Sequence, residues 1–515
     1  MAVSMKELFR RQGLDGEVIS LRNSLANHSG GLKMGLLKAN RLFHKPADGD
    51  GFRRGCQRPF HKNLDLGTIA NIFTKDSDKE KARELSYLVP AWVSVHDQET
   101  RTVEGILTKS KLTHEDFPPA PWHTYYDWNF FVLVDEQYRY LLSKSNLDRE
   151  DAPDGDTRGI MECEWDTDFF PGRKPQEKGE PIMIWPQVGD RVWIVGRWIY
   201  DCGHPRTAGH RTEIHPPKAM AFFRPGAAKF DGNSGLTRAN NAVLFIGRNG
   251  GYWRQSINDQ NYDFDLYLPP KPYPEAQPVW KWEEMTALPV LPQIAPYPVY
   301  DPKALRVEIP LKGVKQHPEE YSAIISGGWS DPRRTESKKI KSLRVTIEKI
   351  FIDSFHAGDK GAAEKDKIEE WNVYIGINGI WHVRSLNVRK GEARSLNVTE
   401  DLRLHPDDRI HITACGFEAD VMHELIGKKS GFTWLHISDP ALTEKQRIKI
   451  MEKVVEKGLD KTLGVPMRDP TNVNEPLGLF SKFHSVRRIP SGGTRVHGLR
   501  SEAKDYRLKY TITPI

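Results

Sequence analysis

Gly189-Asp190-Arg191-Val192-Trp193-Ile194-Val195-Gly196-Arg197-Trp198 is the stretch on which the reading of the fold turns. A Gly-Asp turn launches an apolar, β-branched and aromatic run, and a glycine stands in mid-strand where the chain can coil. That combination suits one strand of a small closed barrel. Working outward, Leu88–Val95, Val103–Thr108, Asn129–Asp135, Ile160–Trp165, Arg191–Tyr200 and Thr212–Phe223 read as strands. About six strands in this span predict an OB-like barrel over residues 86–225.

Pro225–Thr237 reads as a linker. A second β unit over 238–330 has Ala242–Ile246, Asp263–Leu268, Leu305–Leu311 and Ser322–Gly327 as strands. Between them the proline-dense Leu268–Pro302 is expected to lie extended along the surface. Ser330–Lys341 marks the next boundary. From Leu343 to Ile350 apolar residues alternate with period two, which opens a β-sandwich over 340–515. Trp371–Ile377, Arg409–Ala414 and Tyr506–Ile512 continue it, and Ile448, Met451, Val455 and Leu459 form the apolar stripe of one inserted helix. The expected class is therefore mainly β: an OB-like barrel and two β-sandwich-like units, preceded over residues 1–85 by a basic, partly helical arm.

Charge is unevenly placed. The chain of 515 residues carries a net +6, yet residues 1–62 hold twelve Lys and Arg against five Asp and Glu, so the remainder is close to neutral. The arm mixes Arg41, His44, Lys45, Arg53, Arg54, Arg58, His61 and Lys62 with Phe43, Phe52 and Phe60. Residues 33–62 could thus grip nucleic-acid phosphates, bind an acidic surface or dock into a neighbouring subunit; a solvated tail is the plain alternative. No run of eighteen apolar residues predicts a membrane-spanning helix, and no apolar stretch follows Lys6, Arg10 and Arg11 as a secretory leader would require. The four cysteines show no C-x-x-C spacing. Together these features predict a cytoplasmic protein with reduced thiols.

Chemistry-bearing side chains concentrate between Asp201 and His215. Asp201, Cys202, His204, His210, Glu213 and His215 supply six titrating or ligating groups, and strands joined through Pro205–Gly209 would fold them into a hairpin. With His204 opposite His210, Cys202, His204 and His210 share one face. Asp201, Glu213 and His215 share the other. The first set suits zinc, and the second a harder divalent ion or acid–base work with Glu213 as the catalytic base. His123 and Asp127, in the aromatic run Trp122–Trp128, are the outside residues placed to complete a metal site. A purely structural reading stands beside this one, since histidines near prolines at a hairpin end commonly bond loop carbonyls. The loop acids Asp353, Asp359, Asp407, Asp408 and Asp420 lack a D-x-D-x-D-G pattern and read as solvated rather than as a Ca²⁺ site.

The strings Trp198-Ile199-Tyr200-Asp201-Cys202-Gly203-His204, Thr212-Glu213-Ile214-His215-Pro216-Pro217 and Asp505-Tyr506-Arg507-Leu508-Lys509-Tyr510 resemble a group of uncharacterised bacterial β-rich proteins. The resemblance covers residues 86–515, leaves the arm outside, and implies no activity. No P-loop, G-x-S-x-G, H-E-x-x-H or G-x-G-x-x-G fingerprint is present. The leading expectation is a binding or assembly protein with a protein partner or a second copy of itself, and a divalent metal, zinc first, at the 201–215 hairpin. The alternatives are a metal-dependent hydrolase using His204, His215 and Glu213, and a nucleic-acid-binding protein acting through the arm and barrel, where Arg191, Trp193 and Arg197 are the suggestive residues.

Overall fold

A computed structural model describes residues 92–95, 100–113, 127–147, 159–166, 183–201, 210–230, 235–247, 256–284, 290–297, 303–315, 320–354, 368–418 and 476–515. The expected arm over 1–85 and the expected helix over 448–459 lie outside these residues. The strands, in chain order, are β1 (Trp92–Ser94), β2 (Thr100–Thr113), β3 (Asp127–Val134), β4 (Ile160–Asp166), β5 (Met183–Ile184), β6 (Arg191–Asp201), β7 (Thr212–Lys229) and β8 (Leu236–Gly247). There follow β9 (Tyr262–Tyr267), β10 (Pro278–Glu284), β11 (Gln293–Tyr297), β12 (Ala304–Ile309) and β13 (Glu320–Trp329). The last group is β14 (Lys341–Ile352), β15 (Glu369–Ile377), β16 (Ile380–Val388), β17 (Ala393–Leu404), β18 (Arg409–Glu418), β19 (Pro476–Ser485), β20 (Thr494–Arg500) and β21 (Tyr506–Pro514). The protein is mainly β, as its alternating sequence predicts.

A nine-stranded sheet runs β1-β6-β2-β3-β4-β7-β8-β13-β10, and the additional pairing of β6 with β7 closes five of its strands into a barrel. Around the barrel the order is β6-β2-β3-β4-β7. Every seam is antiparallel except β4–β7, which is parallel and joined only at Glu162↔Glu213 and Cys163↔Ile214. Inward residues alternate as strand geometry requires: Trp128, Phe130 and Val132 from β3, Met161, Cys163 and Trp165 from β4, Val192, Ile194 and Trp198 from β6. Gly196 permits the closure. A Cβ there would stand 2.6 Å from the Pro216 carbonyl oxygen and 2.6 Å from the Pro217 Cα, so only glycine lets β6 and β7 approach at this bulge.

β7 changes partner along its length. Its first half pairs with β4; its second half pairs with β8 from Ala219↔Ile246 to Lys229↔Leu236. Pro216 and Pro217, which have no N–H to donate, occupy the interval between those two pairings. The expected linker Pro225–Thr237 is thus mostly the paired ends of β7 and β8. The barrel and the next unit share strands, because a hairpin with eleven paired positions leaves no hinge there. The outward side chains Trp193, Val195, Ala219, Ala221, Leu244 and Ile246 pack against Phe264, Leu266, Leu305 and Val307 of a three-stranded sheet, β11-β12-β9. Leu268–Pro302, expected to be merely extended, contributes β10 and β11; prolines are tolerated there at strand edges.

The C-terminal unit stacks the sheet β17-β14-β21-β20 on β19-β18-β15-β16-β5 around Val345, Ile347, Val373, Ile375, Ile412 and Tyr510. The alternation read from Leu343 to Ile350 is that of β14, whose even-spaced apolar residues face this core. The two-residue β5, from the connection between β4 and β6, pairs with β16 and so joins the barrel's chain to the sandwich. The next residue, Trp185, donates its backbone N–H to Gly379 (2.7 Å) and drives its indole into the barrel core. Ring centroids of Phe245, Phe130, Trp165 and Trp128 lie 5.2, 5.6, 5.6 and 5.9 Å away. Trp381 of β16 enters the same core, 4.8 Å from Trp128. Around this contact Arg224 bonds the Asn378 carbonyl and the Asp190 carboxylate, and Arg238 pairs with Asp408 at 3.0 Å. Asp408, expected to be solvated, is therefore buried and ion-paired; the Asp407 side chain stays 42 % exposed and pairs with Arg487, and Asp353 pairs with Arg507 at 2.9 Å.

Truncation of this wedge tests the joint. Trp185→Ala is expected to cost about 3–5 kcal/mol in chemical denaturation, because a fully buried indole leaves a cavity that its neighbours fill only in part. Calorimetry of the variant should split one cooperative transition into separate transitions of barrel and sandwich.

Candidate metal centre

The site is built on the outer face of the β4–β7 seam. In Met161-Glu162-Cys163-Glu164-Trp165 the odd-numbered residues enter the barrel core, so strand periodicity turns Glu162 and Glu164 outward. On β7, Ile214 points inward and Glu213 and His215 outward. The parallel register sets Glu213 directly beside Glu162. Asp201 at the end of β6 receives the adjoining turn through its N–H, which donates to the Arg211 carbonyl at 2.9 Å. Arg211 and Asp201 thereby reach the same face.

Six ionisable residues meet there, and each exposes 6 % or less of its surface: Asp201, Glu162, Glu164, Arg211, Glu213 and His215. Arg211 is the pivot, at 2.7 Å from Glu162, 3.2 Å from Asp201 and 3.8 Å from Glu213. Asn129 also donates to Glu162, at 3.0 Å. His215 Nδ1 lies 3.0 Å from Glu164 Oε2. Glu164, Glu213 and His215 each offer a ligand atom, all within 4.8 Å of one another, and this group could hold a metal ion.

Electrostatics follow from the count of charges. Four carboxylates face one guanidinium, and burial strips away the water that would screen them. Burial, reinforced by the charges of Asp201 and Glu162, pushes the Glu213 carboxyl well above the usual glutamate range, against the pull of Arg211. For Arg211 burial acts to lower the pKa, but Glu213, Glu162 and Asp201 outweigh it and hold the guanidinium charged. The arrangement can therefore accept a cation with displacement of the Glu213 proton, or store a proton on Glu213 when no cation is bound.

The described part of the hairpin pairs Tyr200 with Thr212, whereas His204 opposite His210 would have required Cys202 opposite Thr212. This corrects the expected register by two residues. Because the side-chain period is also two, Asp201, Glu213 and His215 still share a face. Asp201 sits on Arg211, outside the group of three that could hold a metal. His210 is fully buried elsewhere, with Nδ1 3.2 Å from the Asp201 carbonyl, and its own carbonyl accepts the Ser143 hydroxyl at 2.8 Å. The backbone of Asp127 opens β3 opposite Asp166. Cys202, His204 and His123 lie outside the described residues. Glu164, Glu162 and Arg211 escaped the sequence reading. The signal for the two glutamates was their alternation with Met161, Cys163 and Trp165, which in an isolated strand reads as a solvent face.

The fold and site together define a β protein with a closed five-stranded barrel and a buried carboxylate–imidazole cluster on its outer wall. Comparison with protein-family models and with curated proteins finds no match.

Loss of Arg211 should expose the cost of the cluster. Arg211→Met is expected to destabilise the protein by about 3–5 kcal/mol, since it leaves buried carboxylates without their counter-charge. Glu213 has a raised folded pKa, so its protonated form stabilises the fold at low pH and that contribution is lost as pH rises. The variant's deficit should accordingly be larger at pH 8 than at pH 5 in urea denaturation.

Proposed function

We propose that this chain is a binding or assembly protein in which a divalent cation at Glu164, Glu213 and His215 reinforces an OB-like barrel. The barrel name rests on topology: a three-strand meander, β2-β3-β4, then β6 and β7, with the third and fifth strands parallel and the fourth returning beside the first. Its interior is filled by Trp128, Phe130, Trp165, Trp185 and Trp198, so binding falls to its surfaces and edges.

The observation that carries the cation is the group of Glu164, Glu213 and His215 beside an excess of buried carboxylates. We assign zinc, because one imidazole with two carboxylates matches its preference, whereas calcium and magnesium favour oxygen alone. The burial favours a structural ion over a hydrolytic one. A catalytic zinc keeps an open position for water and substrate, and residues buried to this degree do not offer one. Two of the three barrel residues considered for nucleic acid are engaged otherwise. Arg191 is locked to Asp135 at 2.6 Å and Glu104 at 2.8 Å, and Trp193 is buried under the three-stranded sheet. A protein partner or second copy is the reading we retain. No described helix is long and apolar enough to cross a membrane.

Elemental analysis of protein purified without chelator should find one equivalent of zinc. At a free ion concentration of 100 times Kd, the ion should add about 2.7 kcal/mol of stability. Glu213→Gln and His215→Ala should each lose the metal, and affinity in the parent should rise with pH as the Glu213 proton leaves more readily. Metal-free protein whose melting temperature ignores added zinc, manganese and cobalt would remove the cation from this reading.

A further inference from the structure

The nine-stranded sheet ends on β10, Pro278-Val279-Trp280-Lys281-Trp282-Glu283-Glu284. Among the described residues only β13 pairs with it, from Pro278↔Trp329 to Glu284↔Ala323. An edge of this length presents a row of backbone donors and acceptors to any second strand, and proteins usually guard such edges with proline or lysine. Here the proline is the first residue of the strand and leaves the run from Val279 onward intact. Lys281 does not stand alone either: Glu283, two residues on and on the same face, holds it at 2.5 Å. Trp280 on the opposite face exposes 39 %, an unusual position for so large an apolar ring, and its neighbour Trp282 packs against the core under the three-stranded sheet.

A strand pairing with a copy of itself about a twofold axis obeys a strict register. The axis passes midway between the two copies of one residue, and residues opposite one another share a face. Centred on Lys281, the pairing opposes two lysines. Centred on Glu283, it opposes two glutamates. Centred on Trp280, it sets Lys281 against Val279 and forms no ion pair. Centred on Trp282, it sets Lys281 of each copy against Glu283 of the other, two opposite-charge pairs related by the axis. The same register sets Trp282 against its own counterpart and each Trp280 diagonal to the other copy's Trp282, within reach of aromatic rings. Charge and apolar pattern thus select one register.

We propose that β10 is the seam of a homodimer, pairing antiparallel with β10 of a second copy about an axis at Trp282 and joining the two nine-stranded sheets into one. This names the partner within the assembly reading above; it does not depend on the cation.

Lys281 and Glu283 have side chains 36 % and 59 % exposed, so reversing their charges should leave the fold intact, which circular dichroism verifies. Light scattering coupled to size exclusion on the full chain should find a concentration-dependent dimer. Lys281→Glu sets four glutamates on one face of the seam and Glu283→Lys sets four lysines there; each alone should weaken dimerisation roughly tenfold or more. Mixing the two variants restores both opposite-charge pairs and should restore the dimer as a heterodimer. A dimer indifferent to either single variant, or single variants that weaken it but do not recover on mixing, would overturn the β10 seam while leaving assembly through another surface. A chain monomeric at every concentration would overturn both the seam and self-assembly.

Discussion

The indole of Trp185 is the contact on which the rest of the architecture depends. A barrel of five strands needs side chains to fill its axis, and its own residues leave room at one end beside Trp128, Phe130 and Trp165. The segment that fills this room first adds β5 to the sheet of another unit, so the barrel core is completed only when the C-terminal sandwich is in place. Trp381 enters from the sandwich side, and the backbone bond from Trp185 to Gly379 fixes the depth of entry. Two units that the chain separates by more than a hundred residues thereby share one core.

The same economy of shared strands explains the burial pattern of β6, β7 and β8. Each gives one face to the barrel and the other to the three-stranded sheet, so their sequences run apolar on both sides, as doubly covered strands do. Where that second cover ends, on the first half of β7, the outward residues become Glu213 and His215. They are nevertheless buried, and the apolar packing found further along the strand is replaced by a network of charges around Arg211.

How much of this was legible depended on whether the signal was local. Arg191–Asp201 and Lys341–Ile352 announced themselves through turn residues and period-two alternation, and the sharing of a face by Asp201, Glu213 and His215 followed from strand periodicity alone. Glu164 was not legible, because its partners arrive through a parallel pairing of β4 with β7, strands nearly fifty residues apart. Trp185 followed a segment with no strand pattern, since β5 is two residues long. Pro225 and the prolines near β10 and β11 suggested linker and coil, and edge pairing, which tolerates them, overrode that local preference. For Glu164 and Trp185 the deciding interaction was remote in sequence; for Pro225 and β11 it was pairing with the next strand of a local hairpin, which proline composition alone does not reveal.

The position of the charge cluster on the barrel gives it a mechanical meaning. Four of the five seams are long antiparallel ladders; the β4–β7 seam is two residue pairs, Glu162↔Glu213 and Cys163↔Ile214. The first of those pairs sets two glutamates side by side, which in isolation would push the strands apart. Arg211 bridges them from above, reaching both Glu162 and Glu213. A cation held by Glu164, Glu213 and His215 would act across the same line, since its ligands come from β4 on one side and β7 on the other. The shortest seam of the barrel is therefore the one lined by buried charge, and a proton or a metal ion on Glu213 would act where the fewest residue pairs join the strands.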